Sequence, residues 1–297
     1  MKILALDVGG TAIKSAIIDD TNKISDLRTT PHSLKNIRER MPKIIEVVES
    51  YDGFDVISVA TTGQVDTNKK AILFKTETDN GWEYVPFYVA KILQNEFGCP
   101  AYILNDCNAA ALGEAHFGAG RQYNNFLCLT YGTGVGGAII QDKKLYTGSR
   151  GLAGEVGHIV THSGGKRCRC GRRGCYERYA STTSLVEKAR KIVPELENAK
   201  QIFTDYKDLP DMHRVIRNWQ CEVVSGLVTL TYVFNPECII LGGGIMEQEC
   251  ISAGVCDIFY KTIFETFSTV KLIPASLGNT AGLYGAVVYA RQNKEKI

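Results

Sequence analysis

The stretch ILALDVGGT (residues 3–11) decides the fold together with the stretch FLCLTYGTG (residues 126–134), since each runs from an apolar segment into a glycine-rich turn. A second apolar segment follows each turn, and this pattern predicts strand, turn and strand twice. An offset of 123 residues (130 − 7) places Asp7 on Thr130, Gly9 on Gly132 and Ile17 on Ile140. We therefore predict a duplicated α/β unit, against the alternative of two unrelated hairpins.

Apolar periodicity predicts the other elements and a division into two domains. We expect helices at 34–50, near 86–97, from 181 to about 207, at 210–234 and at 280–292, and strands at 56–60, 101–104 and 238–241. Glycines interrupt the pattern near residues 112–124, where we expect a compact hinge. The smaller domain is predicted at 1–116 with the C-terminal helix (about 280–297), and the larger domain at 117–279.

The composition is that of an ordinary globular protein, and it argues against several classes. Of 297 residues, 44% are hydrophobic and 22% are charged, and the formal net charge is only +2, so neither a disordered chain nor a dedicated nucleic-acid binder is expected. The apolar runs are shorter than the ~20 residues that span a bilayer. The first apolar run ends after four residues, short of the ~7–15 that a secretory signal needs. We expect a cytoplasmic protein that does not bind membranes.

Three of the ten cysteines form a cluster. Cys168, Cys170 and Cys175 follow His158 closely, and three thiols with one imidazole are a donor set that closes a structural Zn²⁺ site. His162 is the rival fourth ligand. The alternative is a set of buried free cysteines, but the arginines of this loop make it a poor core. The other seven cysteines are scattered, and we interpret them as small core residues.

Both glycine turns are suited to phosphate, because glycines let backbone N–H groups approach an anion closely. Asp7 can hold Mg²⁺ through water beside the first turn. Residues 132–137 also match the dinucleotide fingerprint G-x-G-x-x-G, which requires a helix to follow. A strand is predicted there instead, which disfavours a nicotinamide site.

Asn105 and Asp106 follow the strand predicted at 101–104, at the end where α/β folds bind ligands. The alternative function for either residue is to cap the helix that begins there. The segment alone does not decide between a ligand-binding and a capping role.

The combined motifs resemble the ROK family of bacterial sugar kinases and repressors. The resemblance covers essentially the whole chain and rests on these segments in order: 7–14, 105–106, 130–137, 155–158, 168–175 and 242–244. It implies an α/β protein with the two-domain, actin/hexokinase-like (ribonuclease H-like) ATPase fold and an interdomain cleft. It also implies ATP, Mg²⁺ and a structural Zn²⁺ as ligands, and a homodimer.

The resemblance further implies a role for each matching residue. Asp106 resembles the catalytic base. The sugar ligands implied are Gly63, Asn105, Asp106, Glu155, His158 and Glu177. The ATP-binding residues implied are Asp7, Gly9, Gly10, Thr11, Lys14, Gly132, Thr133, Gly134, Gly243 and Gly244. The zinc ligands implied are His158, Cys168, Cys170 and Cys175, with His158 contacting both zinc and sugar through its two ring nitrogens.

The expected activity is ATP-dependent phosphorylation of a free hexose at its 6-hydroxyl, with glucose as the first candidate. Thr62 and Gln64 stand where relatives often carry Pro and Arg, so the sugar stays open: N-acetylmannosamine, N-acetylglucosamine, mannose, fructose, allose or a β-glucoside are alternatives. A different class, a sugar-responsive repressor, needs a winged-helix domain before the first glycine turn, and Asp7 leaves no room for one. A non-catalytic sugar-binding protein is disfavoured because the base and both turns are present.

Overall fold

A computed structural model of the chain describes residues 1–78 and 81–294. The chain divides into two compact units. Unit 1 comprises residues 1–122, residues 139–153 and the chain from Leu277 onward, and unit 2 comprises residues 123–138 and 154–276.

The elements of the described residues are numbered in chain order. The strands are β1 (Ile3–Val8), β2 (Ala12–Ile18), β3 (Ile24–Pro31), β4 (Val56–Thr61), β5 (Gln64–Asp66), β6 (Ala71–Thr78), β7 (Gly81–Phe87), β8 (Ala101–Asn105), β9 (Phe126–Tyr131), β10 (Val135–Gln141), β11 (Lys144–Leu145), β12 (Cys238–Gly242) and β13 (Lys271–Pro274). The helices are α1 (Ile37–Glu49), α2 (Val89–Phe97), α3 (Asp106–Phe117), α4 (Glu177–Ala180), α5 (Thr182–Ala189), α6 (Ala199–Thr204), α7 (Pro210–Phe234), α8 (Glu249–Thr262) and α9 (Ala281–Lys294).

Unit 1 is built on a five-stranded mixed sheet with the order β3-β2-β1-β4-β8. Strands β1, β2 and β3 form an antiparallel meander, and β4 and β8 run parallel to β1. The parallel strands are mainly apolar, and Leu4, Leu6 and Val59 are fully buried. A sheet covered on both faces requires this pattern.

Helices α3 and α9 pack closely in unit 1. A Cβ atom at Gly285 would lie 1.7 Å from the carbonyl oxygen of Ala109, and one at Gly113 would lie 2.4 Å from that of Ala281. Only glycine permits this approach of the two backbones. Gly113 therefore serves helix packing, although the sequence pattern places it in the predicted hinge.

Unit 2 holds a second sheet, in which β12 runs parallel to both β9 and β13. The full strand order is β11-β10-β9-β12-β13, and β10 passes from unit 2 into unit 1. Helix α7 has the predicted bounds, and its apolar face is buried as expected, with Trp219, Val223 and Leu227 fully inaccessible.

The two sheets confirm the predicted duplication. Strands β9 and β10 begin and end 123 residues (126 − 3) after β1 and β2. Each sheet then continues from its first strand through two parallel strands, β4 and β8 in one and β12 and β13 in the other.

Some bounds differ from the sequence-based expectation. Strand β7 extends to Phe87, so α2 begins at Val89 rather than near 86. The helical stretch expected from 181 to about 207 is divided into α5 and α6, of which α6 has its own capping box at Asn198, and the short helix α4 precedes it. The last three residues of the predicted C-terminal segment, 295–297, lie outside the described residues.

The sheet formed by β5, β6 and β7 was not predicted. Its strands alternate only weakly between apolar and polar residues, so they carry little periodic signal. None of the helices in the described part of the chain combines the length and the apolar composition that crossing a bilayer requires.

Candidate active site

The first glycine turn of unit 1 follows Asp7, near the end of β1. The N–H of Gly9 donates to Ala12 O (3.0 Å) and closes the turn. Burial raises the pKa of Asp7, and the ammonium group of Lys14 opposes this effect. A Cβ at Gly282 would lie 2.8 Å from Asp7 Oδ2, so the start of α9 packs directly on this carboxylate.

Asp106 is the first residue of α3, directly after β8. Its Oδ1 accepts a hydrogen bond from the N–H of Cys107 (2.9 Å). Burial, together with the nearby negative charge of Asp7, raises the pKa of Asp106 to about 6. Two carboxylates that share one region disfavour double ionisation. A carboxylate with a pKa near the working pH has the property that a general base needs.

Asn105 is the N-cap of α3. Its Oδ1 accepts from the N–H groups of Cys107 (2.9 Å) and Asn108 (3.2 Å), as a capping side chain does. Its Nδ2 donates to the carbonyl oxygen of Gly63 (3.0 Å). Asn105 therefore caps α3, which is one of the two roles considered from the sequence. Its side chain also binds the backbone of Gly63.

Gly63 has a φ of +105°, which L side chains rarely adopt. Its neighbour Thr62 accepts through Oγ1 from the guanidinium group of Arg40 (3.0 Å). Arg40 is buried and also donates to the carbonyl oxygen of Leu34 (3.2 Å). The sequence analysis missed Arg40, because nothing in its helix marks it as a partner of a residue 22 positions away.

The second glycine turn lies in unit 2 and borders a cavity of about 620 Å³. The N–H of Gly132 donates to Gly134 O (3.0 Å). The cavity is lined by Tyr131, Gly132, Thr133, Thr182, Thr183, Val186, Glu187, Arg190, Ala199, Lys200, Phe203, Gly244, Ile245 and Gln248. Its volume is in the range of small-molecule and cofactor sites.

Gly243 and Gly244 follow β12 at the cavity. A Cβ at Gly243 would lie 2.3 Å from the carbonyl oxygen of Tyr131, and the φ of Gly243 is +95°. Gly243 therefore allows close packing behind the turn, whereas Gly244 lines the cavity itself. The walls contributed by α5 and α6 were not expected from the sequence, because those helices carry no motif.

Glu155, His158 and Glu177 lie together in unit 2. His158 Nε2 is 3.8 Å from Glu155 Oε2, and His158 Nδ1 is 3.8 Å from Glu177 Oε1. The other oxygen of Glu177 lies 2.7 Å from the position of a Cβ on Gly134, so this carboxylate borders the second glycine turn. Two carboxylates and an imidazole are a suitable set of partners for sugar hydroxyl groups.

The predicted zinc ligands lie together in one cluster. One donor atom from each of His158, Cys168, Cys170 and Cys175 lies within 4.8 Å of the others. His158 Nδ1 faces Cys168 Sγ (3.7 Å), and Cys170 Sγ faces Cys175 Sγ (3.5 Å). Three thiols and one imidazole in a closed group fit tetrahedral Zn²⁺.

His162 lies outside this cluster. Its ring stacks on Tyr179 with 3.8 Å between ring centroids, and its Nε2 is 3.5 Å from Glu222 Oε2. The tertiary structure therefore selects His158 as the fourth member, a choice that the sequence left open.

These features define the class of protein. The described residues form an α/β protein with the two-domain, actin-like ATPase fold that ROK proteins share. The family model described as "ROK family" matches residues 3–293, and the chain belongs to this family.

Individual relatives agree with this assignment. A glucokinase of Streptomyces coelicolor is 28% identical over 97% of this chain and 97% of its own length. An N-acetylmannosamine kinase of Haemophilus influenzae is 29% identical over 98% of this chain and 96% of its own. A crystal structure of a ROK family glucokinase from Streptomyces griseus, in complex with glucose and AMPPNP, superposes with a TM-score of 0.85 at 29% identity, covering 98% of this chain and 100% of that one.

Proposed function

We propose that the protein is an ATP-dependent sugar kinase that transfers the γ-phosphoryl group of ATP to the 6-hydroxyl of a free hexose. The three relatives named above all carry the name of a sugar kinase, and they match nearly the whole chain. The observation that carries the proposal is the environment of Asp106, whose pKa is raised to about 6 at the end of β8.

Asp106 acts as the general base in this proposal. It accepts the proton of the sugar hydroxyl as that oxygen attacks the γ-phosphorus atom, in line with the leaving ADP oxygen. Phosphoryl transfer depends mainly on positioning and charge neutralisation. A positioned base typically adds ~10²–10⁴-fold.

Unit 1 is proposed to hold Mg²⁺ near Asp7, through water, where the ion neutralises phosphate charge. Lys14 Nζ is held by Asn279 Oδ1 (2.8 Å) and adds positive charge on the same side of β1. The backbone at Gly9, Gly10 and Thr11 is proposed to contact phosphate.

Unit 2 is proposed to bind the nucleotide in the 620 Å³ cavity. Gly132, Thr133 and Gly134 would contact the phosphates, and Gly243 and Gly244 would admit the adenosine. The apolar side chains of Val186, Phe203 and Ile245 give this cavity the walls that a purine base needs.

The residues proposed to contact the sugar are Gly63, Asn105, Asp106, Glu155, His158 and Glu177. A site built for hydroxyl groups rejects an analogue that lacks one, because a buried carboxylate then stays unpaired. Zn²⁺ bound to the cysteine cluster would fix His158 as a ligand. It would also restrain Glu177 through the backbone, since Glu177 lies two residues after the ligand Cys175.

Glucose is the proposed substrate, with N-acetylmannosamine as the second candidate, because the two relatives named carry these two activities in their names. N-Acetylglucosamine, mannose, fructose, allose and β-glucosides complete the set. We also propose a homodimer, which light scattering would test.

The test is ADP release by the purified protein with Mg-ATP and each of these sugars. Turnover with one sugar and phosphate on its 6-hydroxyl, located by NMR, would support the proposal and name the substrate. The matched control is Asp106→Asn, which preserves side-chain size. ADP release at the same rate without any sugar would contradict the proposal.

A further inference from the structure

We infer that Thr182 and Thr183 are positioning residues that orient the second glycine turn for the phosphates of ATP. The inference rests on the proposed function and concerns residues that no motif in the sequence marks. Both threonines open α5, at the edge of the cavity in unit 2.

The start of α5 binds three consecutive carbonyl groups of the turn. Thr182 Oγ1 donates to Tyr131 O (3.2 Å), and the N–H of Thr182 donates to Gly132 O (2.9 Å). Thr183 Oγ1 donates to Thr133 O (2.9 Å). Two of these three bonds therefore depend on side chains.

These bonds determine the direction of the N–H groups. In a trans peptide the C=O and the following N–H point in opposite directions, and the described residues contain no cis peptide. Carbonyls turned toward α5 therefore turn the N–H groups of Gly132, Thr133 and Gly134 away from it. The N–H of Gly132 donates to Gly134 O within the turn. The N–H groups of Thr133 and Gly134 are therefore the two donors that point away from α5 and are left for a phosphate.

The turn needs such support because glycine does not restrict its own backbone. Gly132 and Gly134 have access to a wider range of φ and ψ than other residues. Without the two hydroxyl bonds, the peptide groups would sample other orientations, and ATP would have to order them on binding. An anion site built from backbone N–H groups works best when these groups are oriented in advance.

The hydroxyl groups act through the turn rather than on the phosphate. A hydroxyl has one proton to donate, and in both threonines that proton is given to a carbonyl oxygen. Phosphate oxygens are acceptors and need donors. The N–H groups of Thr133 and Gly134 supply these donors, and the threonines direct them.

The experiment compares Thr182→Val, Thr183→Val and the double variant with the wild-type protein. Valine keeps the shape of threonine and removes the hydroxyl. We expect each single change to raise the KM for Mg-ATP by about tenfold, and the double change by more, because each removes one hydrogen bond of ordinary strength. The KM for the sugar at saturating ATP should stay within twofold of the wild-type value.

Two controls separate positioning from general stability. Thr183→Ser keeps the hydroxyl and should restore the KM for Mg-ATP. Thr229→Val removes a threonine hydroxyl that also bonds a backbone carbonyl, Ser225 O (2.8 Å), but lies on α7 away from the cavity lining. It should leave both KM values unchanged. An unchanged KM for Mg-ATP in the double variant, or equal effects of Val and Ser at position 183, would overturn the inference.

Calorimetric titration with Mg-ADP separates this inference from the proposed function. Wild-type binding with at least tenfold weaker binding by the double variant would support the inference even if every sugar fails as a substrate. Equal binding by the two proteins would overturn the inference and leave the kinase proposal standing. No binding by the wild-type protein would overturn both.

Discussion

The sheets of the two units share one strand order but differ in what stands at the ends of their parallel strands. In unit 1, β1 carries Asp7 and β8 leads into Asp106, and burial raises the pKa of both. In unit 2, the position equivalent to Asp7 is Thr130, and β12 and β13 lead into Gly243 and Ala275. A duplicated scaffold thus places an acidic pair in one unit and, in the other, a glycine-lined cavity whose lining also includes Glu187, Arg190 and Lys200.

The two glycine turns also differ in how they are held. In unit 1, Val8 O and Thr11 O accept from the backbone N–H groups of Thr62 (3.4 Å) and His32 (2.8 Å). In unit 2, threonine hydroxyls donate to Tyr131 O, at the position equivalent to Val8, and to Thr133 O. The first turn is therefore supported independently of side-chain identity, whereas the second depends on two particular side chains.

The largest effect should follow from removing the acid–base chemistry of unit 1. Asp106→Asn keeps the shape of the side chain but cannot accept the hydroxyl proton, so kcat should fall by ~10²–10⁴-fold. Steady-state kinetics would measure this, and titration with Mg-ADP should show unchanged binding in unit 2. Wild-type turnover in the variant would mean that Asp106 is not the general base, and unit 1 would then lose its proposed catalytic role.

The same substitution should stabilise the protein at neutral pH. The pKa of Asp106 is 3.8 unfolded and about 6 folded, so the folded state prefers the protonated form. Ionised Asp106 destabilises the folded state. This destabilisation is absent at pH values below the unfolded pKa, grows as the pH rises and is complete above the folded pKa. Asp106→Asn should therefore raise the free energy of unfolding by about 3 kcal/mol at pH 8, with a smaller gain at pH 5.

Urea unfolding of both proteins at the two pH values would check this expectation. Asp52→Asn, which changes an exposed carboxylate, is the control and should leave stability within about 0.5 kcal/mol. A gain that does not depend on pH would contradict the electrostatic explanation.

The cluster of His158, Cys168, Cys170 and Cys175, the proposed zinc site, distinguishes unit 2 from unit 1 in a third respect. Cys175 is completely buried, and Cys175→Ser should lower the zinc content and raise the KM for the sugar by about tenfold, as loss of metal-site support typically does. Metal analysis with steady-state kinetics would measure both. The exposed Cys221 provides the control Cys221→Ser, which should change neither value. Full sugar affinity in a zinc-free protein would show that His158 and Glu177 hold their positions without metal.

The smallest effect concerns the coupling of the two carboxylates in unit 1. With Asp106 as the base, kcat/KM should fall about tenfold per pH unit below its pKa of about 6. The negative charge of Asp7 contributes to that pKa, so Asp7→Asn should move the acid limb of the profile to lower pH. Thr130→Val, at the equivalent position of unit 2, should leave the limb in place. If the acid limb of the kcat/KM profile does not move in Asp7→Asn, burial alone raises the pKa of Asp106.

Much of the fold follows from local signals. The two strand–turn–strand segments, the strands that follow them and the long helix α7 are marked by apolar periodicity and glycines, and they lie close to their predicted bounds. The sheet of β5, β6 and β7 is different. Its strands are held by pairing with one another rather than by a strong pattern of their own, so sequence reasoning did not find it.

The amino-acid sequence by itself determined the family, the donor types for phosphate and metal, and the duplication, because these depend on residue type and spacing along the chain. Only the tertiary structure decided which histidine joins the cysteines, why the pKa of Asp106 is raised, and that Thr182 and Thr183 hold the second glycine turn. Each of these depends on contacts between segments far apart in the chain. Asp7 lies 99 positions before Asp106, and Thr183 lies 50 positions after Thr133, so no local pattern records either contact.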